Sequence, residues 1–269
     1  MPAIPLANLT RRQGIRRRDI TLRPIITTAA QANELAAIYA PIVAHWQEAL
    51  PRILAAYNPP ITDALTRDTA DEMRSAIEVA QNEALRLIIA FTPRARNWAL
   101  RLERWHRDKW TGAVKTATNV DLGMLLTALP VQENVEAFMA RNVALAKDVS
   151  AQAQSRISDI VFRNYQRRTP IATVAKELSE AVDMSRTRAR RIAQDQTVKL
   201  AAALDRDRQT EAGIRKFKWR HSGKKHPREN HKARDGNIYS WSDPPAELPG
   251  EAPYCGCRAQ AYLDLMDEL

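Results

Sequence analysis

Cys255 and Cys257 are the two cysteines of this 269-residue chain, and with His221, His226 and His231 they fall in its last quarter. Thiolate sulfur and imidazole nitrogen are the donors that Zn2+ takes in tetrahedral sites. His226, His231, Cys255 and Cys257 are therefore a candidate zinc set, with His221 as the alternative to His226. Zinc would help a small unit of short strands and limited apolar content to fold, because metal binding and folding are coupled where the unfolded chain holds no site. The Cys-x-Cys step is tighter than the usual Cys-x2–4-Cys spacing, so the same residues allow a buried, hydrogen-bonded His231 with two small cysteines packed in a strand. A disulfide between residues one apart would close a strained ring, and a reducing compartment fits this cysteine usage.

A catalytic arrangement can also be drawn from His226, Glu229, His231 and Asp235, as in a metal-dependent nuclease or peptidase. The spacing is not His-Glu-x-x-His, and no second carboxylate cluster completes a metal site. A Cys–His nucleophile pair would need an orienting third group. The eight glycines are scattered and cradle no phosphate. The expectation is a protein that is not an enzyme and takes no small-molecule substrate.

Helices must supply most of the framework. Leu35, Ile38, Tyr39, Ile42, Val43 and Trp46 recur at helical spacing, with Pro41 and Pro51 expected to kink or end that element. A second helix is expected from about Asp68 to Ala90 and a third after Pro93, carrying Trp98, Leu102 and Trp105 as a core stripe. His45 and His106 sit on such helices with no special role expected. Pro130 opens a long helix reaching roughly Arg167. Thr169 and Pro170 open another to about Val182, and Ser185 a further one that ends near Gly213. Beyond Gly213 the period changes. Ile214 to His221 alternates, Asp235-Gly236-Asn237 marks a turn, and Ile238 to Trp241 and Cys257 to Leu263 give two more short strands. The fold expected is mainly α: an elongated helical body with a small α+β C-terminal domain containing a short antiparallel sheet. Three segments follow, a basic flexible arm over 1–24, a helical body over 25–184 and a C-terminal domain over 185–269.

Hydrophobic residues make up 45% of the chain, enough to bury a core, and the net charge is +10. No stretch approaches the ~20 apolar residues of a membrane-spanning helix, and no apolar signal segment opens the chain, so neither membrane nor export is expected. In the arm, Arg11, Arg12, Arg16, Arg17, Arg18 and Arg23 stand against Asp19 alone, a composition expected to stay unfolded until it meets DNA or an acidic surface. Between Gly213 and Gly236 nine bases face two acids, and from Asn237 onward six acids face one base. Such segments partly neutralise each other within a fold or present basic charge to a partner.

The order of motifs in the last quarter is more specific than any one of them. It runs Lys218-Trp219-Arg220-His221-Ser222-Gly223, then Arg228-Glu229-Asn230-His231, Asp235-Gly236, Pro249-Gly250 and Cys255-Gly256-Cys257-Arg258. This resembles the C-terminal domain of the phage Mu F-like, or SPP1-type, minor head (head morphogenesis) proteins. That family has a Trp-containing strand, an Arg-x-x-His step, a Gly-bearing turn, a Pro-Gly loop and a closing Cys-x-Cys. The helix from Ser185 to Thr210, with Arg188, Arg190 and Arg191, resembles the basic helix that precedes the strand. Lys224 and Lys225 stand where the family often has an acidic residue, so no acidic ligand is expected there. The resemblance covers about Ser185 to Leu263 and makes Trp219, Arg228, Gly236 and Gly250 structural motif residues. It implies a minor capsid component of the virion head, assembled in the host cytoplasm, near the portal vertex. Portal or major capsid protein would be its partners, with packaged dsDNA close by. Arg11, Arg12, Arg16, Arg17, Arg18, Arg188, Arg190 and Arg191 would face that DNA or an acidic partner. The alternative is a DNA-binding protein using the basic arm and basic helix, with a metal-dependent hydrolase behind it.

Overall fold

A computed structural model of the chain describes residues 3–57, 63–123 and 129–266. Among them lie six helices and four strands: α1 (Leu6–Arg12), β1 (Asp19–Thr21), α2 (Ala29–Ala56), α3 (Asp63–Thr118), α4 (Leu129–Arg167), α5 (Ile171–Glu211), β2 (Lys216–Arg220), α6 (Glu229–Ala233), β3 (Ile238–Ser240) and β4 (Arg258–Asp264). The mainly-α class with a small antiparallel sheet is what the sequence patterns implied. The helices are longer and fewer than those patterns suggested. Pro41 and Pro51 lie inside α2, and Pro93 lies inside α3. A proline within a helix costs ~3 kcal/mol by removing a hydrogen bond and crowding the previous turn. Pro51 and Pro93 are exposed, so the carbonyls they strand one turn back can bond water, while buried stripes continue in phase on both sides (Trp46, Leu50 and Ile53; Ile88, Phe91 and Ala95).

Ser185 likewise starts nothing. It is buried within α5, and its hydroxyl donates to Ala181 O at 3.2 Å, the back-bond of a mid-helix serine rather than a cap. Ser185→Ala is therefore expected to change stability by no more than about 0.5 kcal/mol, where loss of an N-cap would cost about 1 kcal/mol. The shift of the urea midpoint decides between them.

The chain folds as two compact units that are not consecutive in sequence: Met1–Gln31 with Asn97–Phe138 and Asp195–Leu269, and Ala32–Arg96 with Met139–Gln194. The expected division at 24 and 184 gives way to this one, in which α3, α4 and α5 each contribute to both units. The second unit is all helix. Leu35, Tyr39, Ile42 and Trp46 of α2 are buried there along with Met73, Ile77 and Ala80 of α3 and Val149, Ile157 and Val161 of α4. The polar tips of its aromatics find partners, as buried tyrosine and tryptophan must. Tyr39 OH donates to Asn142 Oδ1 at 2.9 Å, Trp46 Nε1 to Ser150 Oγ at 3.1 Å, and Tyr57 OH to Thr169 O at 2.7 Å.

The first unit carries the sheet, antiparallel throughout, in the order β1-β4-β2-β3. Its register pairs Ile20 with Leu263, Phe217 with Ala261 and Tyr239, and Trp219 with Ala259. One apolar cluster joins Leu6, Ile20, Leu22, Trp110, Val114, Ile214 and Leu263, and another joins Phe217, Trp219, Ala252, Cys255, Cys257 and Ala259.

The first of these clusters corrects the reading of residues 1–24 as a flexible arm. Among the described residues of that segment, α1 buries Leu6 and Ala7 while β1 is an edge strand on β4. Leu22 N donates to Ala261 O at 2.9 Å, and Gln260 Nε2 donates to Leu22 O at 2.7 Å. Ile4 N donates to Glu211 O at the end of α5, beside Gly213, where a Cβ would stand 2.7 Å from Ile4 O. The arginines dominated the composition, but Leu6, Ile20 and Leu22 are spaced to place an apolar side chain inward from each local element. Burying them outweighs a charge excess that Arg12, Arg16, Arg17 and Arg18 keep in solvent.

Candidate metal centre

Three segments converge at the site. His231 lies in the single turn of α6, Cys255 and Cys257 straddle Gly256 ahead of β4, and Glu247 comes from the proline-rich loop between β3 and β4. His231 Nδ1 is 3.4 Å from Cys255 Sγ and 3.6 Å from Cys257 Sγ, and all three side chains are buried. On the other side of the ring, His231 Nε2 is 2.6 Å from Glu247 Oε2. A carboxylate there holds the proton on Nε2 and leaves the Nδ1 lone pair facing the sulfurs. Donating that proton makes the His231 ring the main cause holding the Glu247 carboxyl below its ordinary range.

The two thiols act as one titrating pair. Cys255 is pushed down to about 5, first by the hydrogen bond its sulfur accepts from Cys257, then by the backbone N–H groups of Cys257 and Gly250. Cys257 is pushed up by giving that bond, by burial and by the negative charge beside it. Cys257 N lies 3.4 Å from Cys255 Sγ.

The motif residues build this cage. Trp219 is fully buried on β2, with its ring edge-on to His231 at 5.2 Å between centroids and the Arg234 guanidinium over it at 5.1 Å. Arg228 donates to Pro253 O at 3.0 Å, tying the start of α6 to the turn before Cys255, and Lys224 donates to Tyr254 O. Gly236, at φ +85°, closes the turn through its N–H to Trp219 O at 2.8 Å. Gly250 also has φ +85°, and a Cβ there would meet Ala202 Cβ at 2.9 Å. At Gly256 a Cβ would stand 2.8 Å from Ser222 Cβ, so glycine lets the loop after β2 close on the Cys-x-Cys turn.

His226 is exposed and stands outside the group, and His221 is occupied by accepting from Gly223 N at 3.1 Å. Of the residues considered for a hydrolase, Glu229 is exposed and Asp235 accepts from His221 N at 2.9 Å. Among the described residues, the His, Cys, Asp and Glu group able to hold a metal is His231, Cys255 and Cys257. The basic residues are scattered over both units. Arg12, Arg16, Arg17 and Arg18 are exposed in the sheet unit, where Arg11 is half-buried. In the helical unit Arg188 pairs with Asp148 at 2.7 Å, while Arg190 and Arg191 are exposed.

Sequence patterns missed Glu247, which sits in an irregular loop where no period marks it. They also missed a buried polar cluster in the same unit. Arg208 Nη2 donates to Glu103 Oε1 at 2.8 Å, its Nη1 donates to His106 Nδ1, and His106 Nε2 lies 3.0 Å from Asp205 Oδ1. A ring accepting at Nδ1 is neutral, in keeping with a His106 pKa lowered mainly by burial. Arg258, also buried, donates to Cys257 O at 3.3 Å and to Thr27 Oγ1 at 3.3 Å.

The family described as "Phage Mu protein F like protein" matches residues 155–260, from the end of α4 through α5, β2, α6 and β3 into β4. An uncharacterized protein of Haemophilus influenzae is 31% identical over 159 residues, which are 58% of this chain and 36% of that relative. The chain thus spans little more than a third of the relative's length. No solved structure matches. The metal-type cluster, the Trp219 strand and both glycine turns all fall inside the matched segment, and over residues 155–260 this chain is similar to the phage Mu F-like family.

Proposed function

We propose that the chain is a phage head-morphogenesis protein: a minor capsid component of the virion head, associated with the portal vertex and close to the packaged DNA. The observation that carries this reading is the family match, which takes in the whole of the Trp219–His231–Cys257 arrangement. Portal or major capsid protein is the partner, and assembly takes place in the host cytoplasm. No helix among the described residues is long and apolar enough to cross a membrane. The test is mass spectrometry of purified heads, together with pull-down of the tagged full-length protein during phage production. The chain should be found in heads and should bring down portal or major capsid protein. Its absence from both heads and precursor shells would overturn the reading.

Exposed Arg16, Arg17 and Arg18, in a chain of net charge +10, favour a DNA contact as a second reading. Each phosphate neutralised contributes about −0.9 to the slope of log K against log salt on duplex DNA. Replacing the three arginines with serine is expected to flatten that slope by about 2.7 while leaving the thermal midpoint in place. An unchanged slope in fluorescence anisotropy would remove this segment from any DNA surface.

A further inference from the structure

We propose that His231, Cys255 and Cys257 bind one zinc ion, which locks α6 to the Cys-x-Cys turn, with a non-protein ligand such as water in the fourth position. This inference is independent of the head-assembly reading. Its main support is metric. With Zn–N near 2.05 Å and Zn–S near 2.3 Å, a tetrahedral ion sets its nitrogen and sulfur ligands about 3.6 Å apart. The two N···S separations here are 3.4 and 3.6 Å, and the three donor atoms lie within 4.8 Å of one another.

The surroundings agree with that assignment. A lone imidazole nitrogen accepts one S–H bond, yet Nδ1 is approached by two sulfurs at nearly equal distance. A cation sitting between the three atoms satisfies all of them at once. Glu247 on Nε2 is the carboxylate that metal-bound histidines commonly carry on their second nitrogen. N–H groups ring the sulfurs as they do around thiolate ligands: Cys257 N and Gly250 N towards Cys255, and Ser222 N towards Cys257. The fully buried Trp219 Nε1 has no conventional hydrogen-bond partner, and Cys257 Sγ lies beside it. A mixed nitrogen and sulfur set of this kind suits zinc over magnesium or calcium, which take oxygen.

The role is structural. All three donors are buried, and Glu247 is engaged on the far side of the ring, where it cannot serve as a base for a bound water. What the ion would hold is the closure of one short helical turn on a strand end, both too small to be stable alone.

The test uses full-length protein purified without chelator. Elemental analysis should give stoichiometric zinc, and exchange with Co2+ alone should produce a sulfur-to-cobalt charge-transfer band. Cys257→Ser and His231→Gln should lose both signals. Glu247→Gln should keep the metal with an affinity lowered roughly 10–100-fold. His226→Ala, outside the group, should bind as the parent does. Should the ligand variants fail to fold, the parent protein alone decides. A folded parent that carries no zinc, takes up none on titration and shows no cobalt band overturns the proposal, as does undiminished binding by a folded Cys255→Ser, Cys257→Ser double variant.

Discussion

Leu22→Ala is expected to lower the stability of the sheet unit by about 2–5 kcal/mol, the cost of emptying a well-packed leucine site. Leu22 is 2% exposed and packs in the cluster that includes Leu6, Ile20, Trp110 and Leu263. Its backbone also continues the β1 ladder, donating to Ala261 O and accepting from Gln260 Nε2. Arg17→Ser, five residues earlier and exposed, is expected to shift stability by less than about 0.5 kcal/mol. Urea denaturation followed by tryptophan fluorescence reads both. Equal, small effects at the two positions would restore the picture of a solvated arm and contradict the packing described above.

Arg208→Met is expected to cost about 3–5 kcal/mol, because it strands buried carboxylates without their cation. Arg208 is 2% exposed and holds Glu103 Oε1 at 2.8 Å, with His106 on its other nitrogen. Replacing Glu103 and Arg208 together with apolar residues should cost much less than the two single changes added, since neither partner of the pair is then left buried without the other. Additive effects in this double-mutant cycle would show that the pair is not coupled. His106 adds a pH dependence. Its folded pKa lies below the ordinary 6.5 because burial and Arg208 oppose its charge, although Asp205 acts the other way. The unfolded chain therefore takes up this proton first as pH falls. The stability contributed by neutral His106 is fully present above about pH 6.5 and is lost progressively below it. In His106→Asn the fall in urea midpoint between pH 7 and pH 5.5 should be smaller than in the parent, and an identical fall would exclude His106 as its source.

The sequence carried much of this, unevenly. Strong helical periods placed α4 within a residue or so of its ends, and alternation placed β2, β3 and β4. It misjudged punctuation: Pro41, Pro51, Pro93 and Ser185 are local stop or start signals that continuous buried stripes override. β1 was invisible because three residues cannot show a period and their neighbours are arginines. At the site, His231, Cys255 and Cys257 were legible as metal-type donors, but spacing gave no reason to drop His226 or add Glu247. Long-range geometry decides both, since Glu247 reaches His231 from a loop whose path no short-range signal fixes.

The pairing of Asp19 with Asp264 sets a timetable for biosynthesis. About 245 residues separate these partners, so at roughly 5–20 residues per second β1 waits on the order of 12–50 s before its neighbour has been made. The helices of the other unit can form on the ribosome during that interval, but the sheet cannot close. Any chain that stops before β4 leaves the apolar side chains of α1 and β1 without Ala261, Leu263 and Leu265, part of their cover. The edge strand β1 then has no ladder partner until β4 is made, so the four-stranded sheet is complete only in a chain that reaches Asp264.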